Sequence, residues 1–270
     1  MQWKLTYFGG YLGAILSFIY VITSGDWLLY GVSILYWLLF CRLTCQLIGL
    51  HKYWTHRSFD TGPVQHFILA FGSILCGTGS PYTWAVHHRH HHKYADTERD
   101  VHSPAINGGL STILGYWVLK PNEWWYNKGL TLTHRDLVKD KQVMHVHKHY
   151  WKYWYALLIG ILIIDWRIAL LFVVQPIGLS LFVHGCNNLF SHSKWFPGSY
   201  RNYDTPDGSR NLPMWTNLFL LGEGYHNNHH QTPWAYNNAD KPGEWDFSAL
   251  VIKYLFDIYR GKRGYAYNEK

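Results

Sequence analysis

Four apolar stretches limit what this chain can fold into: Leu5 to Thr23, Trp27 to Leu47, Trp151 to Ile164 and Ile168 to Leu189. A helix crossing the hydrocarbon core of a bilayer needs about 20 apolar residues, and only the third stretch is short unless its aromatic flank counts. The first pair is joined by SGD at 24–26 and the second by DWR at 165–167. The spacing predicts an all-α membrane protein with four transmembrane helices in two hairpins. A fifth run, Phe67 to Cys76, is too short to span and ends in GTGSPY. It reads as an interfacial helix or a buried turn.

Charged residues make up 15% of the chain and aromatics 18%, with 15 Trp and 21 Tyr. Rings with one apolar and one polar edge suit a membrane boundary. A mean hydropathy of −0.16 is too low for a chain that lies wholly in the membrane, so the hairpins carry a large polar part. Of the 24 Lys and Arg, 12 lie between Arg42 and Lys148 and nine after residue 190, while the two links hold Arg167 alone. The positive-inside bias therefore puts the N-terminus, the central segment (about 51–150) and the C-terminal segment (about 192–270) in the cytoplasm. These two segments form a cytosolic helical cap, and residues 1–270 make one domain. The net charge of +7 is mainly this topology signal. Dispersed basic residues without a recognition motif argue against nucleic acid as a partner. The N-terminus lacks a cleavage site, so the first apolar segment is expected to be retained.

The chain has 18 histidines, and they cluster. His51 and His56 form HKYWTH beyond the second apolar stretch. His88, His91 and His92 form an HxxHH set within HHRHHHKYADTERD (87–100). His226, His229 and His230 form a second HxxHH set in GEGYHNNHH. The charge-derived topology places all three on one side of the membrane, at helix ends. In a helix, positions i, i+3 and i+4 share a face, so each HxxHH aims three imidazoles at a common region. The i, i+5 pair His51/His56 diverges by roughly 140° on an ideal α-helix, and so reaches two different ions or marks an irregular turn. Eight imidazoles exceed the needs of one tetrahedral zinc. They suffice for two metals of higher coordination number, and imidazole suits iron.

The stretches HKYWTHRSF (51–59), YTWAVHHRHHHKYADTERDVHSP (82–104), YRNYDTPDGSRN (200–211) and GEGYHNNHH (222–230) carry a resemblance. From about residue 27 to 260 the chain resembles the integral-membrane fatty acid desaturases, specifically the Δ9-type acyl desaturases of bacteria and the animal stearoyl-CoA enzymes. The resemblance implies a di-iron centre held almost wholly by histidine, O2 as co-substrate, and an acyl chain in a bent tunnel. It assigns His51, His56, His88, His91, His92, His226, His229 and His230 as iron ligands and leaves His87 and His90 as extras. The family's Asn-x-x-x-His pair at the end of the fourth helix maps onto Asn188 and His192 in FVHGCNNLFSHS, with His192 as ninth ligand and Asn188 acting through water. An ungapped alignment substitutes His184 for His192, because SKWFPGS is inserted before YRN. Trp84, one turn before His88, and Tyr82 are placed along the acyl tunnel. Asp96, Glu98 and Asp100 either fix imidazoles of the second box or are loop charges.

The expected reaction is O2-dependent insertion of a cis double bond, Δ9 by resemblance, into a saturated acyl chain. A di-iron membrane hydroxylase or ketolase is the alternative, and a histidine-rich metal transporter a distant one. The head group stays open among acyl-CoA, acyl-carrier protein and acyl-lipid. No HPGG haem motif occurs, so a separate ferredoxin or cytochrome b5 is the expected electron donor. A bacterial inner membrane fits better than the endoplasmic reticulum.

Overall fold

Gly25, in the left-handed region at φ +73°, ends the first helix, and Asp26 starts the second by accepting the Leu29 N–H. The computed structural model describes residues 2–100, 102–114 and 134–258. Parts of the expected cap, 115–133 and 259–270, lie outside the described residues. The principal helices are α1 (Gln2–Ser24), α2 (Trp27–Thr55), α3 (Pro63–Cys76), α4 (Pro81–Tyr94), α5 (Lys141–Ile164), α6 (Trp166–Ser191), α7 (Met214–Leu220) and α8 (His226–Gln231). Among the described residues there is no strand, only isolated bridges joining Tyr200, Asn211 and Tyr225. The protein is an all-helical membrane protein.

Among the described residues, three helices are long and apolar enough to cross a bilayer: α1, α2 and α6. The stretch 151–164 is the distal part of α5, a 24-residue helix whose first half reads KQVMHVHKHYWK. That polar half lowers its mean hydropathy, which is why the segment stands apart from the other three. The short links behave as helix stops and starts. Asp165 closes α5 and accepts the Arg167 N–H at the head of α6. α1 packs mainly on α6 rather than on its sequence neighbour α2. Small residues permit this: a Cβ on Gly178 would lie 2.2 Å from the Gly10 carbonyl oxygen.

α3 ends at Gly77, left-handed at φ +67°. It buries Leu69, Ala70, Ile74 and Cys76 and exposes Val64 and Phe67, as a helix at a boundary does. Ser80 then caps α4 by accepting the Thr83 N–H, with Pro81 at the first position.

α2 changes character along its length. It is α-helical to Tyr36 and π-helical from Trp37 to Thr55. Thr44 Oγ1 donates to the Leu39 carbonyl and Thr55 Oγ1 to the Leu50 carbonyl, both five residues back. π-turns are rare and gather at functional sites. Lys52 anchors the end of this helix to the C-terminal segment, donating to the Tyr236 carbonyl, Asp246 and Ser248 at 2.6–2.9 Å.

The close approach of α1 and α6 sets an expectation. Gly178→Leu should destabilise the protein by roughly 2 kcal/mol or more through overpacking against backbone, read as a lower thermal unfolding midpoint in detergent. Gly9→Leu, where nothing lies within 4 Å, should leave the midpoint unchanged.

Candidate metal centre

The π-turn in α2 brings His51 and His56 together. On an α-helix an i, i+5 pair splays apart, but here the His56 N–H donates to the His51 carbonyl, and the two rings lie 5.0 Å apart, centroid to centroid. Of the two readings of this spacing, two different ions or an irregular turn, the irregular turn is the one present, and both residues belong to one group. That group comprises His51, His56, His88, His92 and His229, each offering one nitrogen, all within 4.8 Å of one another. His91, His192, His226 and His230 form a second group, their nitrogens also within 4.8 Å of one another. The groups abut, with the His92 and His230 rings 4.4 Å apart.

Each HxxHH therefore divides between two groups instead of aiming at one region. At about 100° per residue, position i+4 sits near +40° from position i and position i+3 near −60°. His88 pairs with His92, and His226 with His230, while the i+3 residues His91 and His229 turn to the opposite group. A helix placed on the seam between two centres feeds both.

Within each group the Nε2 atoms converge. Spacings are 3.0–3.1 Å for His51–His229, His92–His229, His88–His92, His192–His226 and His226–His230. Two nitrogens each bonded at roughly 2.0–2.1 Å to one ion, at right angles, take about this separation. His56 Nε2 and His91 Nε2 are buried with no hydrogen-bond partner. A buried polar atom without a partner is costly, and a metal ion at each focus would satisfy both.

Carboxylates hold the outer nitrogens. Nδ1 of His91, His192 and His230 lies 2.8 Å from Asp100, Asp96 and Asp207 respectively. His51 Nδ1 lies 2.7 Å from Glu223, the least well aligned of the four contacts. A carboxylate only accepts, so the proton sits on Nδ1 and the Nε2 lone pair faces inward. Burial alone would raise the Glu223 carboxyl, but His51, Lys52 and Arg42 bring it down to about 2. Asp96 and Asp207 are likewise held below the ordinary carboxylate range despite burial, by His192 and His230 and by nearby donors. Burial and then the neighbouring imidazoles keep His88, His92, His226 and His229 far below an ordinary histidine. Neutral imidazole is the metal-binding form.

A family model for fatty acid desaturases matches residues 25–241. The chain belongs to the fatty acid desaturase family. This desaturase-family chain is 27% identical to the sn-1 stearoyl-lipid 9-desaturase of Anabaena variabilis, over 94% of this chain and 90% of that protein. It is 25% identical to stearoyl-CoA desaturase 4 of Mus musculus, over 82% of this chain and 62% of the mouse protein. It is 26% identical to a probable chloroplastic lipid desaturase of Arabidopsis thaliana, over 81% of this chain and 59% of that protein. The Δ9 type of the family is thus the one it resembles.

The nine histidines singled out from the sequence are the nine in the two groups. His184 is elsewhere: its Nε2 lies 3.0 Å from His102 Nε2, and its ring packs against Trp84. Asn188, one turn before His192, donates to the His102 carbonyl. Trp84 and His184 line a narrow cavity of about 30 Å³ with Thr78, Thr83, His87 and His102. Its wall includes His88 from one group and His91 from the other. Tyr82 instead packs against His147. The extra histidines bond to backbone, His87 Nδ1 against the Thr83 carbonyl and His90 Nε2 against that of Arg99. Glu98 is exposed.

Reading the sequence missed Glu223 and Asp207, although both lie inside motifs it quoted. It also missed Arg89. That side chain donates to the Trp54 and Thr55 carbonyls at the end of α2 and pairs with Asp136 in a two-point contact. Arg89 thereby ties the first histidine box to the second.

Two outcomes follow for this desaturase-family centre. His192→Ala should lose metal from the second group, measured by elemental analysis, while His184→Ala should keep most of it. Asp207→Asn should weaken metal affinity by roughly 10–100-fold, the usual effect of removing a carboxylate behind a ligating histidine.

Proposed function

We propose that this protein is an O2-dependent di-iron acyl desaturase that places a cis double bond at the Δ9 position of a saturated fatty acyl chain. The observation that carries this reading is the pair of abutting imidazole groups, five and four, opening through His88 and His91 on one cavity. Nine nitrogen donors are too many for tetrahedral zinc and suit two iron ions. His51, His56, His88, His92 and His229 would hold one ion, and His91, His192, His226 and His230 the other, with Asn188 acting through water. When bound, iron supplies the O2 chemistry that removes hydrogen from an unactivated methylene, a step beyond the reach of any side-chain acid or base.

The chain's own residues do the rest. Asp96, Asp100, Asp207 and Glu223 keep the proton on Nδ1 of their histidines and so aim Nε2. Thr78, Trp84 and His184 shape the cavity, hold the reacting methylenes alongside both groups and keep water out. The relatives named for stearoyl-lipid and stearoyl-CoA substrates support a fatty acyl chain as substrate. Electrons come from a separate ferredoxin or cytochrome b5. α5 completes four spans, with both termini and the centre on the cytoplasmic side of a bacterial inner membrane.

Expression in a host that lacks unsaturated fatty acids, followed by mass spectrometry of lipids by class, is the decisive test. The expected product is a cis-Δ9 alkene in one lipid or thioester class, abolished by His91→Ala. A hydroxyl or keto product without the alkene would move the chain to a di-iron hydroxylase. Purified protein should hold about two irons per chain, the number its two ligand groups require. Tags at residues 25 and 166 should report the outer face.

A further inference from the structure

The π-turn that aligns His51 with His56 also aligns the residues before them. Steps of four or five along α2 lead back from His51 to Gln46 and Arg42 on the same side of the helix. Both lie within the span Trp27–Thr55. Arg42 is 2% exposed and Gln46 is 0% exposed. Arg42 Nη1 donates to Gln46 Oε1 at 2.7 Å. That contact uses the acceptor of the amide and leaves two buried donors, Arg42 Nη2 and Gln46 Nε2, with no partner.

The charge also lacks a direct ion pair. Among the described residues no carboxylate oxygen lies within 4.0 Å of Arg42, while Arg57, Arg89 and Lys52 each have one. Glu223 acts on Arg42 electrostatically, but its own oxygens face His51 at 2.7 Å and Lys52 at 3.7 Å. A guanidinium does not shed its proton in a protein. Ionisable side chains inside a span are expensive and mark a function, normally with a partner. Every open position here is a donor beside a fixed positive charge, so the partner that fits only accepts and is negative.

We infer that Arg42 and Gln46 form an anion site inside the membrane-spanning half of the protein, on the side of α2 that faces the metal centre. The chemistry recognised is a monovalent anion taking hydrogen bonds from Arg42 Nη2 and Gln46 Nε2. A halide and the carboxylate of a fatty acid both provide it. The site stands whether or not the centre holds iron and whatever reaction it performs.

The test uses the full chain, purified in non-ionic detergent with its metal. One preparation is made throughout in chloride-free buffers containing sodium bromide, another with added deuterated palmitate, and both are desalted. Bromide is then counted by elemental mass spectrometry and palmitate by extraction and mass spectrometry. The expected result is stoichiometric retention of one of the two by the unaltered protein. Arg42→Met should reduce that retention by at least about tenfold, as expected for losing a hydrogen bond to a charged group, with metal content unchanged. Retained bromide assigns a small inorganic anion, and retained palmitate a fatty carboxylate. Should Arg42→Met fail to fold, Gln46→Leu, which keeps the charge and removes the second donor, is expected to show the same loss. Retention of neither anion by the unaltered protein, or equal retention by the folded variants, overturns the site.

Discussion

Nine imidazoles share a small buried volume, and each must be neutral with its Nε2 lone pair turned inward. That requirement governs much of the surrounding structure. Burial and the neighbouring imidazoles hold His88, His92, His226 and His229 far below an ordinary histidine, but burial does not orient the rings. Orientation comes from Asp96, Asp100, Asp207 and Glu223, which hold Nδ1 from outside. These buried carboxylates in turn need donors. Asp96 accepts from Ser103 and the Gly208 N–H, and Asp100 from the Asp96 and His102 N–H groups. The loops around the centre are shaped by this second layer of bonds.

The same demand explains the polar network around the third box. The third box is built on α8, a helix of only six residues, too short to hold its position by helix formation alone. Asparagines hold it instead. Asn211 Oδ1 accepts the Asn227 and Asn228 N–H groups, and Asn228 donates to Glu244 and the Asn238 carbonyl. Lys52 and Arg89 perform the matching task for α2, the first joining its end to the C-terminal segment and the second joining it to α4. A buried network of this kind is stabilising only when its members are satisfied. Arg42 is one buried charged side chain with a donor that is not.

Much of this was legible in the residues because it depends on local patterns. Apolar length marks α1, α2 and α6 as spans, and Gly25, Asp26 and Asp165 mark their ends. The short run Phe67 to Cys76 reads as a boundary helix for the same reason. The stretch 151–164 reads as a span only when its polar leading half is cut away, and in the folded chain the two halves are one helix. Glu223 and Asp207 were not legible. A carboxylate in a loop becomes the partner of a histidine only by tertiary approach, as Glu223 does to His51 across 172 positions of chain.

The sequence by itself determined that the chain enters a membrane and carries three histidine boxes in the order of the desaturase family. It also picked out the imidazoles that converge. Those are properties of composition and spacing. Which imidazole faces which neighbour was decided only by the tertiary structure. An α-helical period sends His51 and His56 apart, and the π-turn of α2 brings them together. Spacing within HxxHH aims three rings one way, and the seam between two groups divides them. His184 and His192 are both within reach along α6, but the approach of Asp96 and α8 to His192, and of His102 to His184, separates their roles. A helical period is set by bonds a few residues apart, whereas a partner is set by where distant segments meet.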